Sequence, residues 1–170
     1  MKSESIVLIG MAGAGKSTVG LSLSKALAFD FIDVDNYIVE SDGKAAQEII
    51  DNEGEESFLQ IEKRRMYEID LVHRVVAPGG SIIYHSDLME YLKERSTLVY
   101  LDDSFEDIEE RLSSLSARGI VGLKNKSLRE IYNERRPSYA RYADITIKCR
   151  GKSQDKLARE ILQHFLAFKE

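Results

Sequence analysis

An α/β fold, with a five-stranded parallel sheet between two layers of helices, is predicted by three features of this sequence. Short β-branched runs alternate with helix-period segments from one end of the chain to the other. The first such run, Ser5-Ile6-Val7-Leu8-Ile9-Gly10, is apolar throughout, as expected of a strand buried on both faces. A glycine-rich turn follows it and leads directly into a helix pattern. Strand–helix–strand connections of this kind cross over right-handed, which makes the strands parallel.

The elements follow in order. Residues 17–28 carry Val19, Leu23, Ala26 and Leu27 at helix-face spacing. Phe31-Ile32-Asp33-Val34-Asp35 reads as a second strand, and the spacing places Asp33 and Asp35 on one of its faces. Residues 44–52 and 55–73 read as helices broken at Gly54. Arg74-Val75-Val76-Ala77 is a third strand, ended by Pro78-Gly79-Gly80. Residues 87–95 form a helix and 96–101 a fourth strand. A helix over 105–115 leads into a loop at 116–126, whose glycines and weak periodicity suit a mobile lid. Residues 128–135 are helical and stop before Pro137. Residues 143–148 give the fifth strand, and 153–168 an amphipathic closing helix.

The 170 residues suit a single domain over 1–170, large enough to bury its own core. Apolar residues make up 43% and charged residues 31%, an ordinary globular composition. The net charge of −5 and the lack of a basic tract argue against a nucleic-acid partner. No apolar run has the length of a membrane span or of a signal-peptide core, so no membrane partner is expected. One cysteine, Cys149, excludes an internal disulfide and fits a reducing cytoplasm. The protein is expected to be a cytoplasmic monomer.

The glycine-rich turn carries the chemistry. Gly10-Met11-Ala12-Gly13-Ala14-Gly15-Lys16-Ser17, followed by Thr18, matches the phosphate-cradling pattern G-x-x-x-x-G-K-[ST]. Its glycines let backbone N–H groups approach phosphate oxygens. Lys16 supplies a compact cation, the Ser17 hydroxyl a ligand for Mg²⁺, and the following helix its positive end. The motif predicts a P-loop NTPase fold that binds ATP with Mg²⁺.

With this turn in place, the remaining motifs resemble those of shikimate kinases over nearly the whole chain. The matching stretches are Phe31-Ile32-Asp33-Val34-Asp35, Gly54-Glu55-Glu56-Ser57-Phe58 with Glu62, Gly79-Gly80, Arg111, Arg118 and Arg135-Arg136-Pro137-Ser138-Tyr139. The resemblance implies an ATP-dependent kinase that phosphorylates a hydroxyl of a small metabolite. It implies Asp33 near the Mg²⁺ shell, and Asp35 on the acceptor hydroxyls with Phe58, Gly79, Gly80 and Arg135 around the acceptor. It further implies Arg118 as the lid arginine over the phosphates and Arg111 against the adenine. Arg150, after the fifth strand, is a further candidate to flank the adenine.

The match breaks at three positions. Leu59 stands where the resemblance implies an arginine for the acceptor carboxylate, Ser81 where it implies a third glycine, and Gly119 where it implies proline. Loss of a charge-assisted hydrogen bond of about 1.5–3 kcal/mol weakens binding about ten- to a hundredfold or more. Lys63, one helical turn past Leu59, is a candidate substitute. The alternatives are a different acceptor (another hydroxy acid, a homoserine-like amino acid or a nucleotide) and a nucleotide-binding module without turnover. His85 reads as a partly exposed loop residue, and no Cys/His spacing suggests zinc.

Overall fold

The structure, a computed structural model, describes residues 4–114 and 119–169. Among these, five strands build one parallel sheet in the order β2-β3-β1-β4-β5. The strands are β1 (Ile6–Ile9), β2 (Asp30–Asp33), β3 (Arg74–Ala77), β4 (Thr97–Asp102) and β5 (Ile145–Lys148). Chain order reverses on either side of β1, the arrangement that opens a crevice beyond the carboxyl ends of the strands.

Side-chain alternation splits the core into two layers. Ile6, Leu8, Val75, Val99 and Leu101 face helices α1 (Lys16–Leu27) and α8 (Gln154–Lys169). Val7, Ile9, Val76, Leu98 and Tyr100 face the other side. There they pack on α2 (Val34–Asp42), α3 (Ala46–Glu53), α4 (Glu55–Glu68), α5 (Ser86–Arg95) and α7 (Leu128–Tyr142). Helix α6 (Phe105–Ser113) joins this layer through Phe105 and Ile108. The central strand β1 is therefore buried on both faces, as its apolar run requires.

Two expectations from the sequence fail, each for a local reason. The second strand stops at Asp33, because the Asp33 carboxylate accepts a 3.2 Å hydrogen bond from the Asn36 N–H and caps α2. Asp35 thus lies in the first turn of a helix that the sequence reading did not assign, and does not share a strand face with Asp33. Helix α7 does not stop before Pro137 but runs through it to Tyr142. Pro137 and Asn133, whose carbonyl loses its i→i+4 donor, both face solvent. On the opposite side, Ile131, Arg135, Tyr139 and Tyr142 are buried and hold the helix to the domain. Its start is secured by a capping box between Ser127 and Glu130.

At the carboxyl end of β4, buried Asp102 accepts hydrogen bonds from Tyr100, Arg136 and Lys148. Burial works against its charge, but Lys148 and Arg136 prevail and hold the carboxyl below the usual range. No helix among the described residues is long and apolar enough to cross a membrane.

A carboxyl lowered in the native state stabilises the fold fully above its unfolded pKa of about 3.9, and that stabilisation is lost as pH falls through the native value. The wild type is therefore expected to lose stability in acid more steeply than Asp102→Asn, and urea midpoints between about pH 5 and pH 2 will show it.

Candidate active site

The cradle forms because the chain must turn sharply between β1 and α1. Gly13 and Gly15 adopt φ of 81° and 88°, a region that L side chains avoid. At Gly13 a Cβ would also lie 3.1 Å from the Leu112 side chain. Gly15 is the N-cap of α1 and offers no side chain to its N–H groups, and the first turn holds no acidic residue. The positive end of a 12-residue helix is thus left for an anion. Lys16 Nζ donates to the carbonyls of Gly10 (2.7 Å) and Met11 (2.8 Å), so the ammonium folds back along the loop.

A cavity of about 300 Å³ begins at this loop. Ala12, Gly13, Gly15, Lys16, Ser17 and Thr18 line its phosphate end. Asp33 and Asp35 stand on one wall, and Phe58, Gly79, Gly80, Ser81 and Arg135 close the far end. The Ser17 hydroxyl donates to Asp33 Oδ2, which brings two hard oxygen ligands together beside the loop. No group of three or more His, Cys, Asp or Glu suited to a metal occurs among the described residues. That donor set fits Mg²⁺, which takes one or two protein oxygens and completes its shell with water and phosphate.

Arg111 lies at the mouth of the cavity, where its Nη1 donates to the Gly13 carbonyl at 2.9 Å and to Asp103. The two contacts fix the guanidinium plane across the loop. Gln154 and Ser114 line the same end, and nothing in their sequence context marked them. Gly10, Met11 and Ala14 are buried behind the loop and shape it without lining the cavity. Arg150 is exposed and stands apart from the cavity, with its charge acting on Glu106 instead. Arg118 lies outside the described residues.

At the far end, Arg135 is only 1% exposed. Its Nε donates to the Tyr84 hydroxyl at 3.1 Å and its Nη2 to the Val121 carbonyl at 2.7 Å. Burial opposes its charge, yet the nearby oxygens of Tyr139 and Tyr84 hold its pKa above the ordinary value. No carboxylate lies within ion-pair distance of it among the described residues, so the cavity holds a buried cation without an anion. Tyr139 donates to the Gly80 carbonyl at 2.6 Å and anchors the Gly79-Gly80 turn; burial pushes its phenol far above the usual range.

Two further expectations are corrected here. Lys63 does not stand in for the missing arginine: its ammonium pairs with Asp87 at 2.6 Å, outside the cavity lining. His85 is not a partly exposed loop residue but is buried between the short 3₁₀ helix Gly80–Tyr84 and α5. Leu59 packs against the apolar core.

A glycine cradle at the end of a parallel strand, a lysine, and a serine paired with an aspartate define a P-loop phosphotransferase. Residues 12–166 match the family model for shikimate kinase. The chain is 35% identical over 160 residues to a shikimate kinase of Persephonella marina, covering 94% of this chain and 97% of that one. It is 31% identical over 169 residues to one of Caldanaerobacter subterraneus, covering 98% of each. The fold is similar to that of shikimate kinase from Acinetobacter baumannii in complex with shikimate. That match has a TM-score of 0.91 and 32% identity, covering 98% of this chain and 95% of that one. This chain belongs to the shikimate kinase family.

Because the Arg135 charge is buried without a carboxylate partner, its removal should not destabilise the fold strongly. Arg135→Met is expected to melt within about 4 °C of the wild type while losing acceptor affinity, as thermal denaturation with and without acceptor will show.

Proposed function

We propose that this chain transfers the γ-phosphoryl group of ATP to a hydroxyl of shikimate or a closely related small hydroxy acid. The reading is carried by one observation: a single cavity joins the phosphate cradle to a buried, carboxylate-free Arg135, with Asp35 on the wall between them. The triphosphate lies along the N–H groups of residues 12–17, with Lys16 neutralising the outer phosphates. Ser17 and Asp33 would hold Mg²⁺, which when bound would screen phosphate charge. Arg111 packs on the adenine, as a planar guanidinium can.

The acceptor rests on the bare backbone of Gly79 and Gly80, with its carboxylate toward Arg135 and Phe58 at its flank. Asp35 accepts or orients the proton of the attacking hydroxyl. Residues 116–126 act as a lid, and Arg118 on it stabilises charge on the group in transfer. Gly122 N–H donates to Glu55 at 2.7 Å and the Val121 carbonyl accepts from Arg135, contacts that support a closing role for this segment. We take the working unit to be a cytoplasmic monomer of one domain.

Two substitutions test the reading by coupled ADP release over a panel of acceptors. Lys16→Ala is expected to abolish turnover. Asp35→Asn is expected to lower kcat about 10²- to 10⁴-fold while nucleotide binding is kept. Loss of ATP affinity with kcat unchanged would refute that role for Asp35.

Leu59→Arg is expected to lower the KM for shikimate about tenfold. No gain in a folded variant would count against a shikimate-shaped pocket. Turnover of some other acceptor alone, or of none, favours the changed pocket or a binding module.

A further inference from the structure

A buried acid stands behind the nucleotide end of the cavity. Asp103 follows β4, and its side chain is wholly buried. Its Oδ1 accepts a 2.9 Å hydrogen bond from the Ser104 N–H, and its Oδ2 accepts from Arg111 Nη1. One oxygen is thus held by the backbone and the other by the guanidinium. The Tyr132 hydroxyl donates to the Asp103 carbonyl at 2.8 Å and fixes the residue from the α7 side. Asp103 does not line the cavity, so any effect it has on a ligand passes through Arg111, which does.

Arg111 leaves the last turn of α6, and its side chain is half-exposed. The nitrogen that meets Asp103 also donates to the Gly13 carbonyl at 2.9 Å. Guanidinium N–H groups lie in the plane of the group, so bonds made in that plane fix its tilt and leave its faces open to stack. A long side chain carries much rotamer entropy, and ordering Arg111 in advance removes that cost from binding. Stability alone gives no reason for the pair. A wholly buried carboxylate is costly to desolvate, and its partner stands half in water. Left unpaired, an acid so close to the phosphate cradle would also repel the ligand.

We infer that Asp103 is a positioning residue for the nucleotide base. It holds the Arg111 guanidinium across the mouth of the cavity, and the base stacks on the plane so fixed. This deepens the placement of adenine on Arg111 proposed above and rests on it. It ties Asp103 to the base and not to the phosphates, which the loop and Lys16 hold without it. Asparagine is the informative replacement, because it matches aspartate in size but has one acceptor oxygen. The two donors approach different oxygens of Asp103, so asparagine keeps the Ser104 N–H or Arg111 but not both.

The test is calorimetric titration with MgATP and with magnesium tripolyphosphate, which has the phosphates and no base. The wild type, Asp103→Asn, Arg111→Ala and the double variant are compared. Asp103→Asn is expected to weaken MgATP binding about five- to tenfold and to leave tripolyphosphate binding within about twofold of the wild type. In the Arg111→Ala background it is expected to cause no further loss. An equal loss on both ligands places the effect on the loop and overturns the inference. A full additional loss in the Arg111→Ala background overturns it as well. If Asp103→Asn does not fold, Asp103→Ser, which can still accept from the Ser104 N–H, is held to the same outcomes. Weaker MgATP binding in Arg111→Ala with none in Asp103→Asn defeats this inference only. Unchanged MgATP affinity in Arg111→Ala defeats the base placement beneath it.

Discussion

The uncapped N terminus of α1 is the constraint on which the rest depends. A helix start normally finds a side-chain oxygen for its first N–H groups. Here Gly15 supplies none, and the first turn holds no acid. The glycines that make this possible carry backbone angles open to few other residues. They sit at the end of the most buried strand of the sheet, so the loop is fixed from behind by the core. Asp33 and the turn after β3 reach the same point because β3 pairs in parallel with both β1 and β2.

A second feature is the burial of two ionisable side chains away from the phosphate loop. Arg135 and Glu62 are each almost wholly buried; Arg135 forms no ion pair with a carboxylate among the described residues, and Glu62 has His85 Nε2 at 3.8 Å from its Oε2. They approach neighbouring glycines of one turn. Stability alone would favour apolar side chains in both places. At two of the three positions that depart from the family pattern, Leu59 packs against the apolar core and Ser81 donates a hydrogen bond to Glu62.

Much of this was legible in the sequence. The strand–helix alternation led to the five-stranded parallel sheet, because fully buried strands are marked by continuous apolar runs. The glycine motif located the cradle, because its residue types are dictated by backbone geometry. The D-x-D stretch reads as one strand, but Asp33 ends the strand by capping α2 and Asp35 falls in the helix, an outcome that strand periodicity does not reveal. Pro137 misled for a similar reason: its cost is local, while the burial of Tyr139 and Tyr142 that offsets it depends on distant partners. The burial of Glu62 and His85 and the diversion of Lys63 to Asp87 arise from packing between elements far apart in sequence.

The central claim is that the amides of residues 12–17 wrap a polyphosphate. Calorimetric titration of the wild type with MgATP tests it most directly. Saturable heat at one site per chain, with a raised thermal midpoint, is the result expected. No heat and no thermal shift would contradict the account at its root.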